Sequence, residues 1–119
     1  MELETATRLF ESLSSGVRLK VFRLLVQAGS SGMVAGKIAE TLDLPATNLS
    51  FHLKALAQAG LIRADQEGRF QRYRANIALM SDLIGYLTEE CCGGDPSQCG
   101  DLGGVSCAER ESPSPPGRG

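Results

Sequence analysis

Apolar residues recur every three or four positions along much of the chain, a spacing that predicts helices. A first stripe runs from Leu3 through Phe10 to Leu13 and ends at a Ser-Ser-Gly break, residues 14–16. A second helix is predicted to end near Gly29. The stripes that predict the second, third and fourth helices are Val17, Val21, Leu24 and Leu25, then Val34, Ile38 and Leu42, then Leu49, Leu53 and Leu56.

The third and fourth helices are joined by a tight turn, residues 43–45, which is typical of a helix-turn-helix. Pro45 suits the entry of the fourth helix, and Gly60 suits its end. The side of this helix opposite its leucines carries hydroxyl, amide, aromatic and cationic groups, which contact base edges or phosphates in DNA complexes. The candidate DNA-binding residues are Thr47, Asn48, Ser50, Phe51 and Lys54. The alternative is a polar helix face that is merely solvated.

His52 lies at the flank of the apolar stripe and is the only histidine of the chain. We therefore assign it to packing or phosphate contact within the DNA-binding set, rather than to metal ligation.

Residues 61–75 predict two strands about a turn at Glu67-Gly68, with Arg69, Arg72 and Arg74 along the second strand. Such a wing reaches the DNA backbone or minor groove, for which arginine is well suited. The three arginines complete the candidate DNA-binding residues. The alternative is that they only keep an edge strand soluble.

Asn76 is a candidate N-cap for a last helix with an apolar face. One small core cannot easily cover this face as well as that of the first helix, which predicts pairing with a second copy. A two-fold dimer would present two recognition helices to successive major grooves of an inverted repeat. The predicted dimer interface comprises Leu9, Phe10, Leu13, Met80, Ile84 and Leu87.

The predicted fold class is therefore mainly α with a small β-hairpin, a homodimeric winged helix-turn-helix. The net charge of −2, taken alone, disfavours DNA binding. Residues 1–88, however, hold ten Lys and Arg against eight Asp and Glu, a balance of +2, while residues 89–119 hold two against six, a balance of −4. Residues 46–75 carry five cations against two carboxylates, a local +3, which indicates a modest phosphate-contacting surface.

The length of 119 residues favours one folded domain, predicted over residues 1–90 for DNA binding and dimerisation. Residues 91–119 form a cysteine-containing tail, predicted to bind an inducer and to be disordered past Cys107. No apolar run approaches the length of a membrane span and no signal pattern opens the chain, so we expect a cytoplasmic protein that does not bind membranes. Its four cysteines then fit free thiols in a reducing compartment better than disulfides.

The order of elements resembles the ArsR/SmtB family of dimeric winged-helix repressors. The resemblance is carried by "SSGVRLKVFRLL", by "GKIAETLDLPATNLSFHLKALAQAGLI" and by the wing "EGRFQRYR". It implies a repressor that leaves double-stranded operator DNA when a metal or metalloid inducer binds. Two sensor positions familiar in this family are empty here: "ETLDLPATNLS" has no cysteine, and residues 77–87 have no histidine. The chain is similar instead to arsenical repressors whose thiol site follows the last helix.

The chemistry of the tail favours the same ligands. Thiolates select thiophilic ions, and the tail has no histidine. Trivalent arsenic or antimony takes three sulfurs in a pyramid, which Cys91, Cys92 and Cys99 can supply as the predicted metal site. Zinc or cadmium would need four ligands in a tetrahedron and would recruit Cys107 as a possible fourth. A thiol-redox switch and an inert tail are the remaining alternatives.

The sequence predicts no enzyme and no organic cofactor. A thiol reductase would need an activated thiolate, which the acidic neighbours Glu89, Glu90 and Asp95 disfavour. Besides a repressor and an enzyme, the third functional class is a metal buffer or interaction module that does not bind DNA. The predicted function is an arsenite- or antimonite-responsive repressor, with a zinc-, cadmium- or redox-responsive repressor of the same fold as the alternative.

Overall fold

A computed structural model describes residues 1–89 and contains five helices and a small antiparallel sheet within that range. The helices are α1 (Leu3–Leu13), α2 (Gly16–Ala28), α3 (Ala35–Leu42), α4 (Ala46–Gln58) and α5 (Ile77–Leu87). The strands are β1 (Met33–Val34), β2 (Ile62–Glu67) and β3 (Phe70–Ala75), in the spatial order β1-β3-β2. The predicted fold class, a mainly α winged helix-turn-helix, is confirmed.

Residues 1–80 form one compact unit, and residues 81–89 at the end of the described range belong to a second. The division predicted after residue 90, with a separate tail, stays a prediction, because residues 90–119 lie outside the described part. No helix within residues 1–89 combines the length and the apolar character needed to cross a membrane.

The core of residues 1–80 is built from the apolar stripes of the helices. In α4 the leucines of the predicted stripe are at most 3% exposed, and the burial of each contributes about 1.5–3 kcal/mol. The helix packs against α2, α3 and β2. The buried apolar residues of this unit are Ala6, Leu9, Val21, Phe22, Leu25, Ile38, Leu49, Leu53, Leu56, Leu61 and Ile62.

The turn of the helix-turn-helix is formed by a residue that tolerates a left-handed backbone. Asp43 has φ 55°, and its N–H donates to the carbonyl of Glu40, while the N–H of Leu44 donates to the carbonyl of Ala39. These bonds close α3 in a Schellman motif, and aspartate is among the few residues other than glycine that accept this conformation at low cost. Pro45, with φ −61°, then caps α4 as predicted.

The third helix begins later than predicted, because Val34 lies in a strand. Met33 and Val34 form β1 and pair with Tyr73 and Arg72 of β3. A short 3-10 helix, Gly29–Ser31, precedes this strand. Gly32 has φ 62° and lies so close to Tyr73 that a β-carbon at this position would collide with the tyrosine carbonyl oxygen. A glycine is therefore required where the chain joins the sheet.

Asn76 connects the end of α4 to the beginning of α5. Its side-chain oxygen accepts from the N–H of Leu79 at 3.2 Å, so the predicted N-cap is confirmed. Its side-chain nitrogen donates to the carbonyl of Gly60 at 2.9 Å, and its backbone N–H donates to the carbonyl of Leu61 at 2.8 Å. One residue thus ties the segment that follows α4, the predicted recognition helix, to the first turn of α5.

Candidate nucleic-acid interface

The outer face of α4 is open to solvent. Its leucines face the core, so residues on the opposite side of the helix project outward. Within residues 1–89 the side chains of Thr47, Asn48, Ser50 and Lys54 form no hydrogen bond or ion pair with other residues. All four are exposed, and Phe51 beside them is 65% exposed. A hydroxyl, an amide, an ammonium and an aromatic ring are therefore free to meet a nucleic acid.

Arg18, which was not among the predicted DNA-binding residues, contacts both His52 and Phe51. Arg18, near the start of α2, donates from Nε to Nδ1 of His52 at 3.3 Å. The carbon of its guanidinium group lies 5.9 Å from the centre of the Phe51 ring, within cation–π range. The half-buried His52 thus connects α4 to α2 through Arg18, and its role in DNA binding stays a prediction.

Arg18 owes its position to the cap of α2. Ser15 is the N-cap, and its hydroxyl oxygen accepts from the backbone N–H of Arg18 at 3.4 Å. This start was visible in the sequence as the Ser-Ser-Gly break. The partner of Arg18 lies 34 residues away, so no local spacing pattern could identify it.

The wing is the hairpin of β2 and β3, which turns at Gly68 with φ 59°. Arg69 follows this glycine at the tip and is exposed, and Phe70 next to it is 63% exposed. Within residues 1–89 Arg69 has no ion pair. Its exposed guanidinium group is therefore accessible to a phosphate or a groove.

Arg72 and Arg74, in contrast, are occupied by the protein itself. Arg72 pairs with Glu67 at 2.9 Å and donates to the carbonyl of Ser31 at 3.1 Å. Arg74 pairs with Asp65 at 2.7 Å and donates to the carbonyl of Ser30 at 2.8 Å. Both side chains fasten the 3-10 helix to β3. Each of these arginines uses its Nε and Nη1 groups within the protein, which leaves fewer donors for DNA, and their contact with DNA stays a prediction.

The residues predicted to form a dimer interface differ in their exposure. Phe10 is 45% exposed and Leu87 is 57% exposed, whereas Leu13, Met80 and Ile84 are half-buried. Leu9 is only 2% exposed. Its assignment to the interface is corrected, since its side chain fills the core of the protomer and leaves no area for a second copy.

The predicted metal site, Cys91, Cys92 and Cys99 with Cys107, lies outside the described residues. Within residues 1–89 no group of three His, Cys, Asp or Glu side chains is placed to hold a metal ion.

Comparison with known proteins agrees with this geometry. Residues 13–64 match the model of a helix-turn-helix domain family. Two Bacillus subtilis proteins are similar to the chain: the transcriptional repressor SdpR, 32% identical over 78 residues that cover 66% of this chain and 83% of SdpR, and the arsenical resistance operon repressor, 30% identical over 83 residues that cover 70% of this chain and 74% of the repressor.

A solved structure shows the same arrangement of elements. It is the homodimeric winged helix-turn-helix DNA-binding domain of a Mycobacterium bovis protein described as a possible ArsR-family transcriptional regulator. The TM-score is 0.59 at 29% identity, and the match covers 78% of this chain and 86% of that chain.

Proposed function

Because this chain belongs to the ArsR family of winged-helix transcriptional regulators, we propose that it represses transcription and that arsenite or antimonite releases it from its operator. Its relatives and its fold are those of DNA-binding regulators and not of enzymes. The observation that carries the proposal of DNA binding is the exposed polar face of α4, whose side chains have no partners within residues 1–89, opposite a buried leucine stripe.

DNA binding would use α4 in the major groove and the wing tip on the backbone or minor groove. Thr47, Asn48, Ser50 and Phe51 would face base edges, while Lys54 and Arg69 would neutralise phosphates. The small basic surplus of residues 46–75 suits this division, since few phosphate contacts leave specificity to the base-reading face.

We propose that the operator is an inverted repeat bound by a homodimer. Exposed apolar side chains, Phe10 on α1 and Leu87 on α5, are costly in water and suit burial against a second copy. The dimeric state of the Mycobacterium bovis domain supports the same assembly.

The dimer is tested by Ile84→Asp, which would place a charge in the proposed interface. We expect monomers in sedimentation velocity and loss of operator binding, with helix content retained. Asp82, exposed on the same helix, supplies the control variant Asp82→Asn, which should remain dimeric. A folded monomer for the unmodified chain would refute the proposed assembly.

The inducer proposal rests on thiol chemistry in residues 91–99. Cys91, Cys92 and Cys99 offer three soft ligands, the number that trivalent arsenic or antimony takes in a pyramid. The similarity to a repressor named for arsenical resistance supports this ligand class. By reciprocity, operator DNA would weaken inducer binding by the same factor, typically about 1–3 kcal/mol in allosteric proteins.

Single Cys→Ser variants test the inducer site. We expect variants of Cys91, Cys92 and Cys99 to bind operator normally in fluorescence anisotropy but to stay bound when arsenite is added. Cys107→Ser is the matched control and should be released like the unmodified chain. Release of all four variants by arsenite would refute a tail sensor.

A zinc- or cadmium-responsive repressor is the second candidate, and the specific observation in its favour is the fourth thiol, Cys107. A tetrahedral ion would use all four sulfurs. In that case Cys107→Ser would be as defective as the other variants, and zinc or cadmium would release the operator at lower concentration than arsenite.

A further inference from the structure

A polar cleft lies between α1, α2 and the end of α4. Its volume is about 510 Å³, within the usual range for small-molecule sites. Charged and polar side chains line it: Arg8, Glu11 and Ser12 from α1, Arg18 from α2 and Gln58 from α4. Two guanidinium groups against one carboxylate make the cleft net positive.

Ser12 distinguishes this cleft from an ordinary surface depression, because it adds a buried hydroxyl group to the cleft lining. The residue is 7% exposed, and its hydroxyl oxygen is buried without any hydrogen-bond partner within residues 1–89. A buried hydroxyl without a partner costs about 1–3 kcal/mol. A helical serine usually bonds the carbonyl one turn before it, as Thr7 does with Leu3. Ser12 instead lines the cleft with its bonding capacity unused.

We propose that the cleft binds a small organic anion, a carboxylate or a phosphate ester that also carries a hydroxyl group. Guanidinium groups hold carboxylate and phosphate oxygens through paired hydrogen bonds, so Arg8 and Arg18 would bind the anionic group. Ser12 would supply a hydrogen bond from inside the cleft, and Glu11 and Gln58 would accept from the ligand hydroxyl.

Arg18 connects this cleft to the recognition helix. It lines the cleft, and it also bonds His52 and lies against the ring of Phe51. An anion that recruits the guanidinium group of Arg18 competes with both contacts. The anion therefore lowers affinity for DNA, and DNA lowers affinity for the anion by the same factor. This coupling rests on the proposed function, whereas occupation of the cleft does not.

The cleft stays open in the proposed dimer. Residues two positions apart on a helix point about 160° apart, so Arg8 and Phe10 lie on nearly opposite sides of α1. The exposed apolar surface of Phe10 can meet a second copy while Arg8 faces the cleft.

Binding is tested on the free protein with L-malate and with inorganic phosphate, at constant ionic strength. We expect saturable shifts in ¹H–¹⁵N spectra at Ser12, Arg18 and Gln58. Arg8→Gln and Ser12→Ala should each weaken malate binding about tenfold, the loss of one charge-assisted hydrogen bond. Arg23→Gln, at an exposed arginine outside the cleft, should bind malate unchanged. Absence of saturable shifts with both anions, or equal weakening by Arg23→Gln, would refute the site.

Two further measurements test separately the role of Ser12 and the coupling between the cleft and DNA. Ser12→Ala should unfold at the same or higher denaturant concentration, because it removes an unpaired buried hydroxyl; a loss of stability would mean that Ser12 is structural. Malate at constant ionic strength should lower the affinity of the unmodified chain for operator, and Arg8→Gln should abolish that response. Cleft binding without any change in DNA affinity would refute the coupling, and failure to bind DNA at all would refute the proposed function while leaving the cleft result intact.

Discussion

The recognition helix and the wing both carry residue types that contact DNA, but they make those residues available to different degrees. On α4 the hydroxyls, the amide and Lys54 have no partners within residues 1–89. On the wing Arg72 and Arg74 are bound to Glu67, Asp65 and the carbonyls of the 3-10 helix. Arg72 and Arg74 thus keep fewer donors for DNA than a count of cations in the sequence indicates.

These ion pairs show which residues carry the net positive charge of residues 46–75. Asp65 and Glu67 neutralise Arg72 and Arg74, which leaves Lys54, Arg63 and Arg69 as the cations of that segment without an ion pair within residues 1–89. The surplus of +3 is unaltered, yet it resides on one helix position and two exposed wing positions rather than along the whole of β3.

The largest expected effect is a loss of stability at Gly32, where β1 joins β3 of the wing; this junction is called the root of the wing. Gly32→Ala would combine a left-handed backbone with a collision at Tyr73 and should lower the free energy of unfolding by about 3 kcal/mol. Gly68→Ala at the wing tip has a similar φ but open space around it, so its loss should be about 1 kcal/mol. Urea unfolding of both variants measures the difference. Equal losses would show that the root of the wing is not tightly packed.

A smaller effect is expected from the reading face of α4. Ser50→Ala should reduce affinity for operator by about 1–3 kcal/mol and leave affinity for unrelated DNA unchanged, because a base contact carries sequence information. Thr7→Ala removes an exposed hydroxyl of α1 and is the control. Competition binding with both DNAs measures the ratio, and an equal loss on both would assign Ser50 to the phosphate backbone.

The smallest expected effect is a change in the salt dependence of DNA binding, which should differ between cations with and without an ion pair. Lys54→Gln and Arg69→Gln should each reduce the slope of log affinity against log salt by about 1, the value for one lost phosphate contact. Arg72→Gln should change that slope little and instead reduce the free energy of unfolding by less than about 1 kcal/mol, because its ion pair is partly exposed. A full unit of slope lost in Arg72→Gln would place this arginine on the DNA surface.

The helices of residues 1–89 were predictable because each carries its own local signals. The stripe of α4, Pro45 at its start, Gly60 at its end and Asn76 before α5 all act within one or two turns of helix. The two-residue strand β1 was missed because its pairing with β3 spans some 40 residues and leaves no periodicity in so short a segment. Val34 fitted a helical stripe equally well.

In the candidate site, too, contacts between residues distant in sequence could not be predicted. Solvent exposure of Ser50 or Lys54 follows from the helical wheel, since position on the helix decides it. The carbonyl groups that accept from Arg72 and Arg74 lie 41 and 44 residues away, and the histidine that accepts from Arg18 lies 34 residues away, so these contacts depend on tertiary packing. The burial of Leu9 likewise depended on how α1 sits in the core of the protomer, which the stripe alone could not decide.

The three hydrogen bonds of Asn76 have a mechanical consequence. A hinge needs a residue whose dihedral angles can change without breaking bonds on either side, and Asn76 is bonded to Gly60, Leu61 and Leu79 at once. We therefore expect Asn76 to resist bending between the first turn of α5 and the Gly60–Leu61 segment that follows α4. A side chain that could satisfy only one of these partners should permit that bending while leaving both helices formed.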